Sequence, residues 1–434
     1  MRCMPVAQPD SGAAGLWRGA LFPFSRAATA LSAWRYQFPV YSPLSGAALL
    51  LGLRAAARRV PPERAEERLM GLLRERYAPR AVLLTDSGTA ALTTALMGVL
   101  EDRPGCAVAL PAFSCYDVAT AAEGADAPVF LYDTDPHTLA PDLSSLRATL
   151  RQGAAAVVVA HLYGCPVDQG ELNRLAAEAG AIVIEDAAQA AGAMLDEGPA
   201  GAQGSLAVLS FGRGKGLTGG SGGALLAYDD VGERILERIR GSGVLGQARR
   251  GWPDLVALTA QLLLVRPNLY ALPAALPFLR LGQTILREPR PLRGATAVSC
   301  PVVAATWPLA AREVEVRRRN AERLLVELRR HAAFETIRTP AHSRPGYLRL
   351  PVLASPGAHR SATEAAARRL GVMPGYPNPL CDLERFGRRC RNRDAAFPGS
   401  RLLAARLCTL PTHSRLAGRD LARLEQWIRA VGGR

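Results

Sequence analysis

Short apolar runs that alternate with helical stretches restrict the fold of this chain more than any other feature. The runs cover residues 81–85, 107–111, 128–133, 154–160, 181–186 and 206–211. Runs of this length without polar alternation are typical of strands buried on both faces, as in parallel sheets covered by helices. Helical stretches, such as residues 171–179, lie between them. The order predicts an α/β chain with a parallel, doubly wound sheet and helices on both faces.

The composition limits the class of protein. A chain of 434 residues, 49% hydrophobic with a mean hydropathy of +0.05, is expected to be globular with two or three domains. Its net charge of +15 favours anionic partners. The basic residues are spread out rather than interleaved with aromatics, so we expect no nucleic acid. The eight cysteines form no Cys-x-x-Cys pair, which predicts reduced thiols and no zinc site. Arginines interrupt residues 1–38, which argues against a secretory signal and for a cytoplasmic protein.

Lys215 is the only lysine among 53 basic residues. An amine can lose its proton and form an imine with a carbonyl, whereas a guanidinium stays protonated. Lys215 lies on a glycine-rich loop after the run 206–211, where open α/β sheets bind their ligands. Phosphate-loop interpretations fail, because Gly216 stands where a Walker loop needs Ser or Thr and Leu217 where a dinucleotide fingerprint needs Gly.

A carboxylate at the end of another run complements this lysine. Asp186 ends the run 181–186 and is expected at the same edge of the sheet as Lys215. Pyridoxal phosphate needs an amine at its aldehyde and a carboxylate that keeps its pyridine nitrogen protonated. An isolated Asp in this place would more simply be a helix N-cap. The joint occurrence of the two residues predicts a pyridoxal phosphate site.

Further residues have the chemistry that the rest of this cofactor requires. The Gly88-Thr89 turn at a helix start, together with Ser210, could bind the phosphate. Ordinary helix capping is the alternative for this turn. Phe113 or Tyr116 could lie against the ring, and Gln189 could donate to its hydroxyl. The predicted site residues are therefore Gly88, Thr89, Phe113, Tyr116, Asp186, Gln189, Ser210 and Lys215.

Several motifs resemble those of the DegT family of sugar aminotransferases, which are fold-type-I pyridoxal phosphate enzymes. The matching segments are residues 87–92, 110–113, 161–164, 185–189, 210–215, 222–224, 376–380, 397–398 and 410–413. The resemblance covers residues 38–430 and implies an aspartate-aminotransferase-like fold. That fold has a mostly parallel central sheet flanked by helices and a smaller C-terminal α+β domain. We therefore expect an N-terminal extension over 1–38, a cofactor domain over 39–299 and a small domain over 300–434.

The resemblance also implies an activity. Lys215 would hold the cofactor, and an amino group would pass from a donor, glutamate being expected, to a keto-sugar attached to a nucleotide. The product would serve surface polysaccharide or secondary-metabolite synthesis, and a homodimer would share its active sites. Three alternatives stay open: dehydration of a sugar, acyl transfer to an amino acid, and a non-catalytic regulator with the same fold. Some relatives perform the dehydration with histidine in place of this lysine.

Two departures from the family stand out. The Asn-x-Arg motif is missing at residues 293–299, where Arg293, Thr296 or Ser299 could take the place of the asparagine. The second departure is an apolar insertion over residues 250–290. Residues 252–265 are too few for a membrane span of about 20 residues, and Pro267, Pro273 and Pro277 prevent one long helix. We expect a structural helical hairpin on the dimer. A lid over the substrate, or a peripheral membrane contact through 252–280, is the alternative.

Overall fold

A seven-stranded sheet forms the centre of the computed structural model, which describes residues 35–59, 61–271 and 284–433. In chain order the strands are β1 (Ala81–Thr85), β2 (Ala107–Pro111), β3 (Val129–Tyr132), β4 (Ala154–Ala160), β5 (Ile182–Asp186), the separate hairpin β6 (Met194–Leu195) and β7 (Gly198–Pro199), β8 (Leu206–Ser210) and β9 (Gly223–Ala227). The spatial order is β1-β9-β8-β5-β4-β2-β3. Only β9 runs antiparallel to its neighbours, β1 and β8. The predicted mostly parallel central sheet is confirmed.

Helices cover both faces of this sheet. In chain order the helices of this part are α1 (Gly46–Ala56), α2 (Pro62–Tyr77), α3 (Gly88–Asp102), α4 (Tyr116–Gly124), α5 (Leu143–Leu150), α6 (Gly170–Glu178), α7 (Asp230–Ser242), α8 (Trp252–Leu264) and α9 (Ser299–Leu328). Of these, α1 and α8 pack against α9 rather than against the sheet. Strand β4 shows the two faces directly. Ala156 and Val158 belong to the core under α3 and α4, whereas Val157 and Val159 pack against α5 and α6. Every residue of β4 is buried, which is why its sequence shows no polar alternation.

A second, antiparallel sheet follows α9. Its strands are β10 (Phe334–Thr336), β11 (Leu350–Ala354), β12 (Met373–Pro374) and β13 (Leu407–Leu410), in the order β10-β11-β13-β12. Around it lie α10 (Pro356–Ala362), α11 (Ala365–Arg369), α12 (Glu384–Gly387), α13 (Pro398–Arg406) and α14 (Gly418–Gly432). Helix α9 contributes Cys300 to a core of the large sheet and Leu328 to the core of this one. The domain boundary at residue 300 therefore stays a prediction.

Parts of two sequence expectations fall outside the described residues: the extension up to residue 34, and residues 272–283 of the apolar insertion. The described part of the insertion contains α8, which ends at Leu264 before Pro267. Leu258 of α8 is fully buried against α1 and α9. Within the described ranges, no helix is long and apolar enough to cross a membrane.

Candidate functional site

The site lies at the edge of the large sheet where parallel strands end. Strand β5 ends at Asp186 and the neighbouring β8 ends at Ser210, so the loop after β8 passes the end of β5. Lys215 lies on that loop and is partly buried. Burial alone would lower the pKa of Lys215, but the nearby carboxylates of Asp117 and Asp186 hold it above its ordinary value. The structure thus brings the single lysine and the predicted carboxylate together.

Asp186 has few partners for a carboxylate in this position. Its Oδ1 accepts a hydrogen bond of 3.0 Å from the backbone N–H of Ala188. Burial raises the pKa of Asp186, against the positive charge of Lys215. A cationic N–H placed beside Asp186 would stabilise its charged form. A protonated pyridine nitrogen is such a group.

The neighbouring carboxylate, Glu185, has a different environment. It is fully buried and accepts hydrogen bonds from His161 Nε2 at 2.9 Å and from the backbone N–H groups of Gly201 and Gly204 at 2.8 and 2.6 Å. His161 Nδ1 accepts from the N–H of Val167, so Nε2 carries the proton. Burial alone would raise the pKa of Glu185, but these donors hold it below its ordinary value. Glu185 is therefore a structural carboxylate.

The first turn of α3 lies next to the lysine-bearing loop. Ser87 caps the helix by accepting a 3.1 Å hydrogen bond from Ala90, and Gly222 donates to the carbonyl of Asp86 at 2.7 Å. A Cβ atom at Gly88 would lie 2.7 Å from Ser210 Cβ, so only glycine fits there. The predicted phosphate-binding residues Gly88, Thr89 and Ser210 thus meet at one helix N-terminus, which favours anions.

The three residues considered in place of the missing asparagine have different surroundings. The backbone carbonyl of Arg293 accepts a 3.0 Å hydrogen bond from the N–H of Asp86, which lies just before the start of α3. The positive charge of Arg293 also acts on the Asp86 carboxylate. Thr296 instead donates to Asp254 of α8 at 2.8 Å, and Ser299 donates to the carbonyl of Thr296 at 3.1 Å. Of the three, Arg293 is therefore the one whose side chain acts on a residue next to the start of α3.

Helix α8 also supports the lysine-bearing loop. The Asp254 carboxylate that binds Thr296 accepts a second hydrogen bond, of 2.8 Å, from Ser221. A Cβ atom at Gly220 would lie 3.1 Å from both Asp254 and Leu258. The described part of the insertion therefore packs against the lysine-bearing loop.

Four aromatic side chains pack together around Tyr376 and are called the aromatic wall here. The rings of Phe113, Tyr116 and Tyr163 lie 5.4, 6.3 and 5.8 Å from the ring of Tyr376, centroid to centroid. Gln189 Nε2 donates to the Tyr376 hydroxyl at 2.8 Å, while its Oε1 accepts from the N–H of Tyr163 at 3.1 Å. The second Nε2 proton of Gln189 is the one left for a ligand. Gln189 thus links Tyr163 and Tyr376 within the aromatic wall.

Sequence reasoning missed several residues of this region. Cys115, which lies between Ser114 and Tyr116, is the member of its loop whose side chain interacts with Lys215. Burial raises the pKa of this thiol to about 12, which keeps it neutral. Tyr376 lies in one of the matching motifs, so a signal for it existed. Arg349, whose charge acts on Tyr163 and Tyr376, had none in the sequence.

Comparison with protein families finds one match. Residues 64–276 match the model of the DegT/DnrJ/EryC1/StrS aminotransferase family. The matched segment begins in α2, before β1, and ends beyond α8, and it contains Asp186 and Lys215.

Curated relatives resemble part of the chain. The L-glutamine:2-deoxy-scyllo-inosose aminotransferase of Streptomyces kanamyceticus is 36% identical over 159 residues, which are 36% of each chain. A UDP-N-acetyl-3-dehydro-alpha-D-glucosamine 3-aminotransferase of Acidithiobacillus ferrooxidans is 35% identical over 158 residues, 36% of this chain and 42% of that protein. The alignments thus span well under half of the length of these relatives.

The fold extends further than the sequence similarity. The crystal structure of a DegT DnrJ EryC1 StrS aminotransferase from Brucella abortus superposes with a TM-score of 0.68 at 21% identity. The superposition covers 94% of this chain and 97% of that one. The two proteins therefore share one fold, and the aspartate-aminotransferase-like fold expected from the sequence is confirmed.

Proposed function

Because the chain belongs to the DegT/DnrJ/EryC1/StrS aminotransferase family, we propose that it is a pyridoxal phosphate-dependent aminotransferase. It moves an amino group from an α-amino acid, glutamate by our expectation, to a keto-sugar. The observation that carries this proposal is the placement of Lys215 beside Asp186 at the carboxyl edge of the sheet. The name of one relative, which includes a UDP-linked sugar, supports a keto-sugar linked to a nucleotide. Surface polysaccharide or secondary-metabolite synthesis would use the product.

The residues present fit the cofactor. Asp186 is a carboxylate on which the charge of Lys215 acts most strongly among the described residues, and it would hold the pyridine nitrogen. The start of α3 at Gly88 and Thr89, with Ser210, is a cradle in which a Cβ atom would clash. It would hold the phosphate. Lys215 would hold the aldehyde end, and Gln189 would donate to the ring hydroxyl.

The cofactor supplies a carbonyl that takes up the amino group and a ring that withdraws electrons. The chain supplies the rest. Lys215 Nζ moves the proton that leaves Cα of the donor. Asp186 keeps a positive charge on the ring side of the site, and the wall of Phe113, Tyr163 and Tyr376 limits the entry of water.

We also infer that the chain is a cytoplasmic homodimer. Helices α1 and α8 present exposed apolar side chains to solvent, among them Leu50, Leu53, Val256 and Leu263. Such a surface is typical of an interface. Burial of the α8 face between two copies is consistent with the support that this helix gives to the lysine-bearing loop.

Dehydration of a sugar is the second candidate. It would use the same cofactor site, but relatives that perform it replace the lysine with histidine. Lys215 therefore favours transamination. Its presence as the only lysine of the sequence also argues against a non-catalytic regulator.

The test begins with the purified protein and added pyridoxal phosphate. A bound cofactor should absorb near the visible edge, and the band should disappear on addition of L-glutamate or L-glutamine. It should return when a keto-sugar nucleotide is added, with an amino-sugar as product. A protein that binds no cofactor would refute the proposal. A product that has lost water and gained no nitrogen would establish the dehydration instead.

A further inference from the structure

Asp117 is a carboxylate in the site to which the proposed function gives no task. It is the second residue of α4 and follows the carboxyl end of β2. The preceding residue, Tyr116, has its ring 6.3 Å from that of Tyr376, whose hydroxyl accepts the 2.8 Å hydrogen bond from Gln189. Gln189 follows Asp186 by three residues, so these contacts hold the start of α4 against the segment after β5. Asp117 therefore reaches the site from a different element than Asp186 does.

One oxygen of the Asp117 carboxylate is held by its own loop. The thiol of Cys115 donates a hydrogen bond of 3.6 Å to Oδ2 of Asp117. Burial and the charge of Asp117 raise the pKa of this thiol to about 12, so it remains a donor at neutral pH. Among the described residues, no group donates to Oδ1 and no cation forms an ion pair with Asp117. This half-buried carboxylate thus has one oxygen fixed and one that can accept from a partner.

The amine of Lys215 faces titratable groups from two elements. Cys115 and Asp117 belong to the start of α4, and Asp186 ends β5. The thiol is neutral, so the charges that act on the amine are those of the two carboxylates. Burial would lower the pKa of Lys215, and the two carboxylates raise it. The charge of Asp117 also acts on Asp186. The cluster therefore holds one cation and two anions.

The proposed cofactor adds the second cation to this cluster. Its ring nitrogen and its aldehyde lie on opposite sides of the ring, so a ring that meets both Asp186 and Lys215 lies between them. The protonated ring nitrogen then becomes the cationic partner of Asp186. Asp117, which follows a different strand, is left as the carboxylate for the amine. Two cations and two carboxylates can therefore pair one to one.

Lys215 needs such a partner when its amine is not joined to the cofactor. During transfer of the amino group, Nζ is released and carries a proton to and from the reacting carbon. A buried ammonium has lost its water, which costs several kcal/mol unless an anion replaces the water. A charge-assisted hydrogen bond to a carboxylate offsets this cost. It also fixes the direction of a flexible side chain.

We propose that Asp117 is a positioning residue for Lys215, whose free ammonium donates a hydrogen bond from Nζ to Oδ1 of Asp117. This rests on the proposed aminotransferase function. Asp186 serves the ring nitrogen, and Asp117 keeps the amine beside the carbon that loses or gains the proton. Because Lys215 moves the proton in both halves of the reaction, Asp117 supports both. An acid in the first turn of α4 could instead serve only the helix dipole, and the two roles predict different results.

The first test uses the full chain without cofactor and its single lysine. Cyanate is a small reagent that carbamoylates uncharged amines, and mass spectrometry of the peptide that contains Lys215 gives the rate at that residue alone. Asp117→Asn removes a negative charge, so at about pH 8 a larger fraction of Lys215 is uncharged and labelling should become about 3- to 10-fold faster. The control is Asp126→Asn, which changes an exposed aspartate just beyond the end of α4 and should leave the rate as it is. Equal rates in all three proteins would overturn the proposal.

The second test follows the absorbance band of the holoenzyme against pH. The nitrogen of Lys215 still takes up a proton when it is joined to the cofactor, and this proton changes the band. In Asp117→Asn the midpoint of the change should fall by about one pH unit, whereas Asp126→Asn should not move it. Disappearance of the band with L-glutamate and its return with a keto-sugar nucleotide should both slow by roughly 10- to 100-fold in Asp117→Asn. An unmoved midpoint, or slowing of one half only, would contradict the proposal.

A conservative variant separates the charge of Asp117 from its packing. Asp117→Glu keeps a carboxylate at the start of α4, so labelling should stay within about threefold of the unchanged rate. A residue that serves only the helix dipole would lower the melting temperature of Asp117→Asn and leave the labelling rate and the midpoint unchanged. Fast labelling in both variants would show that the site has opened, and it would reject the proposal. If the unchanged protein binds no cofactor, the aminotransferase function fails, while cyanate labelling still decides whether Asp117 acts on Lys215.

Discussion

Glu185 and Asp186 are consecutive residues of β5, and their carboxylates lie on opposite faces of the sheet. Glu185 is held by His161 and by backbone N–H groups after β7. Asp186 faces Lys215. Neighbouring carboxylates therefore have separate tasks, one in the architecture and one in the site.

Substitution of these two residues should separate the tasks. Asp186→Asn should keep the fold and lower turnover by roughly 10²- to 10⁴-fold, because an amide cannot stabilise a protonated pyridine nitrogen. Glu185→Gln should instead lower the free energy of unfolding by about 1–3 kcal/mol, since it weakens a buried hydrogen-bond network. Urea unfolding and steady-state rates of both variants check this. Near-normal turnover of Asp186→Asn would require another carboxylate at the ring.

Lys215→Arg should keep the fold and abolish transamination. The charge that acts on Asp186 is preserved, whereas a guanidinium forms no imine with the cofactor. Borohydride reduction of the unchanged holoenzyme, followed by peptide mapping, should place the cofactor on Lys215 alone. An active arginine variant, or a label on any other residue, would show that the assignment is wrong.

Gly88→Ala should weaken cofactor binding. The added Cβ would lie 2.7 Å from Ser210 Cβ, so the start of α3 must move away from the lysine-bearing loop. Overpacking of this kind costs about 1–3 kcal/mol. The dissociation constant for pyridoxal phosphate should rise by about tenfold or more in an absorbance titration. Gly46→Ala is the control, since no atom lies within 4 Å of its added Cβ. An unchanged affinity of Gly88→Ala for pyridoxal phosphate would show that the phosphate does not bind at the start of α3.

His413 should make stability depend on pH. Burial lowers the pKa of this fully buried histidine to about 4, below its ordinary value of 6.5. Because the unfolded chain takes up the proton first, stability contributed by neutral His413 is complete above pH 6.5 and is lost as pH falls towards 4. Its size is on the order of 3 kcal/mol. His413→Gln should flatten the dependence between pH 6.5 and 4, whereas the exposed His342→Gln should not. If the free energy of unfolding fell with pH equally in His413→Gln and in the unchanged protein, this assignment would be refuted.

The sheet and the pairing of Lys215 with Asp186 could be predicted because both follow from local patterns. Buried parallel strands are short apolar runs, and their polar residues follow at the carboxyl ends. Once the runs at 181–186 and 206–211 are taken as neighbouring parallel strands, their two reactive side chains must meet. The antiparallel direction of β9 has no comparable signal in its five residues.

Arg349 and Cys115 could not be predicted, because their importance arises from contacts distant in sequence. Arg349 follows Tyr163 by almost half of the chain and is one of many arginines. It differs from the exposed Arg344 in being partly buried beside Tyr163 and Tyr376. The choice of Phe113 or Tyr116 for the ring considered only aromatic side chains, and so it passed over the thiol between Ser114 and Tyr116.

The hydrogen bond from Gly222 to Asp86 joins the lysine-bearing loop to the residue that precedes the N-cap of α3. The backbone therefore fixes the distance between the Lys215 amine and the proposed phosphate site at the start of α3. A ligand fits both groups only if its aldehyde and its phosphate are separated by that distance. This selection of ligands by length depends on the main chain. It should therefore persist in variants that change only the side chains around the ring. Pyridoxal, which lacks the phosphate, would bind at Lys215 but not at the start of α3.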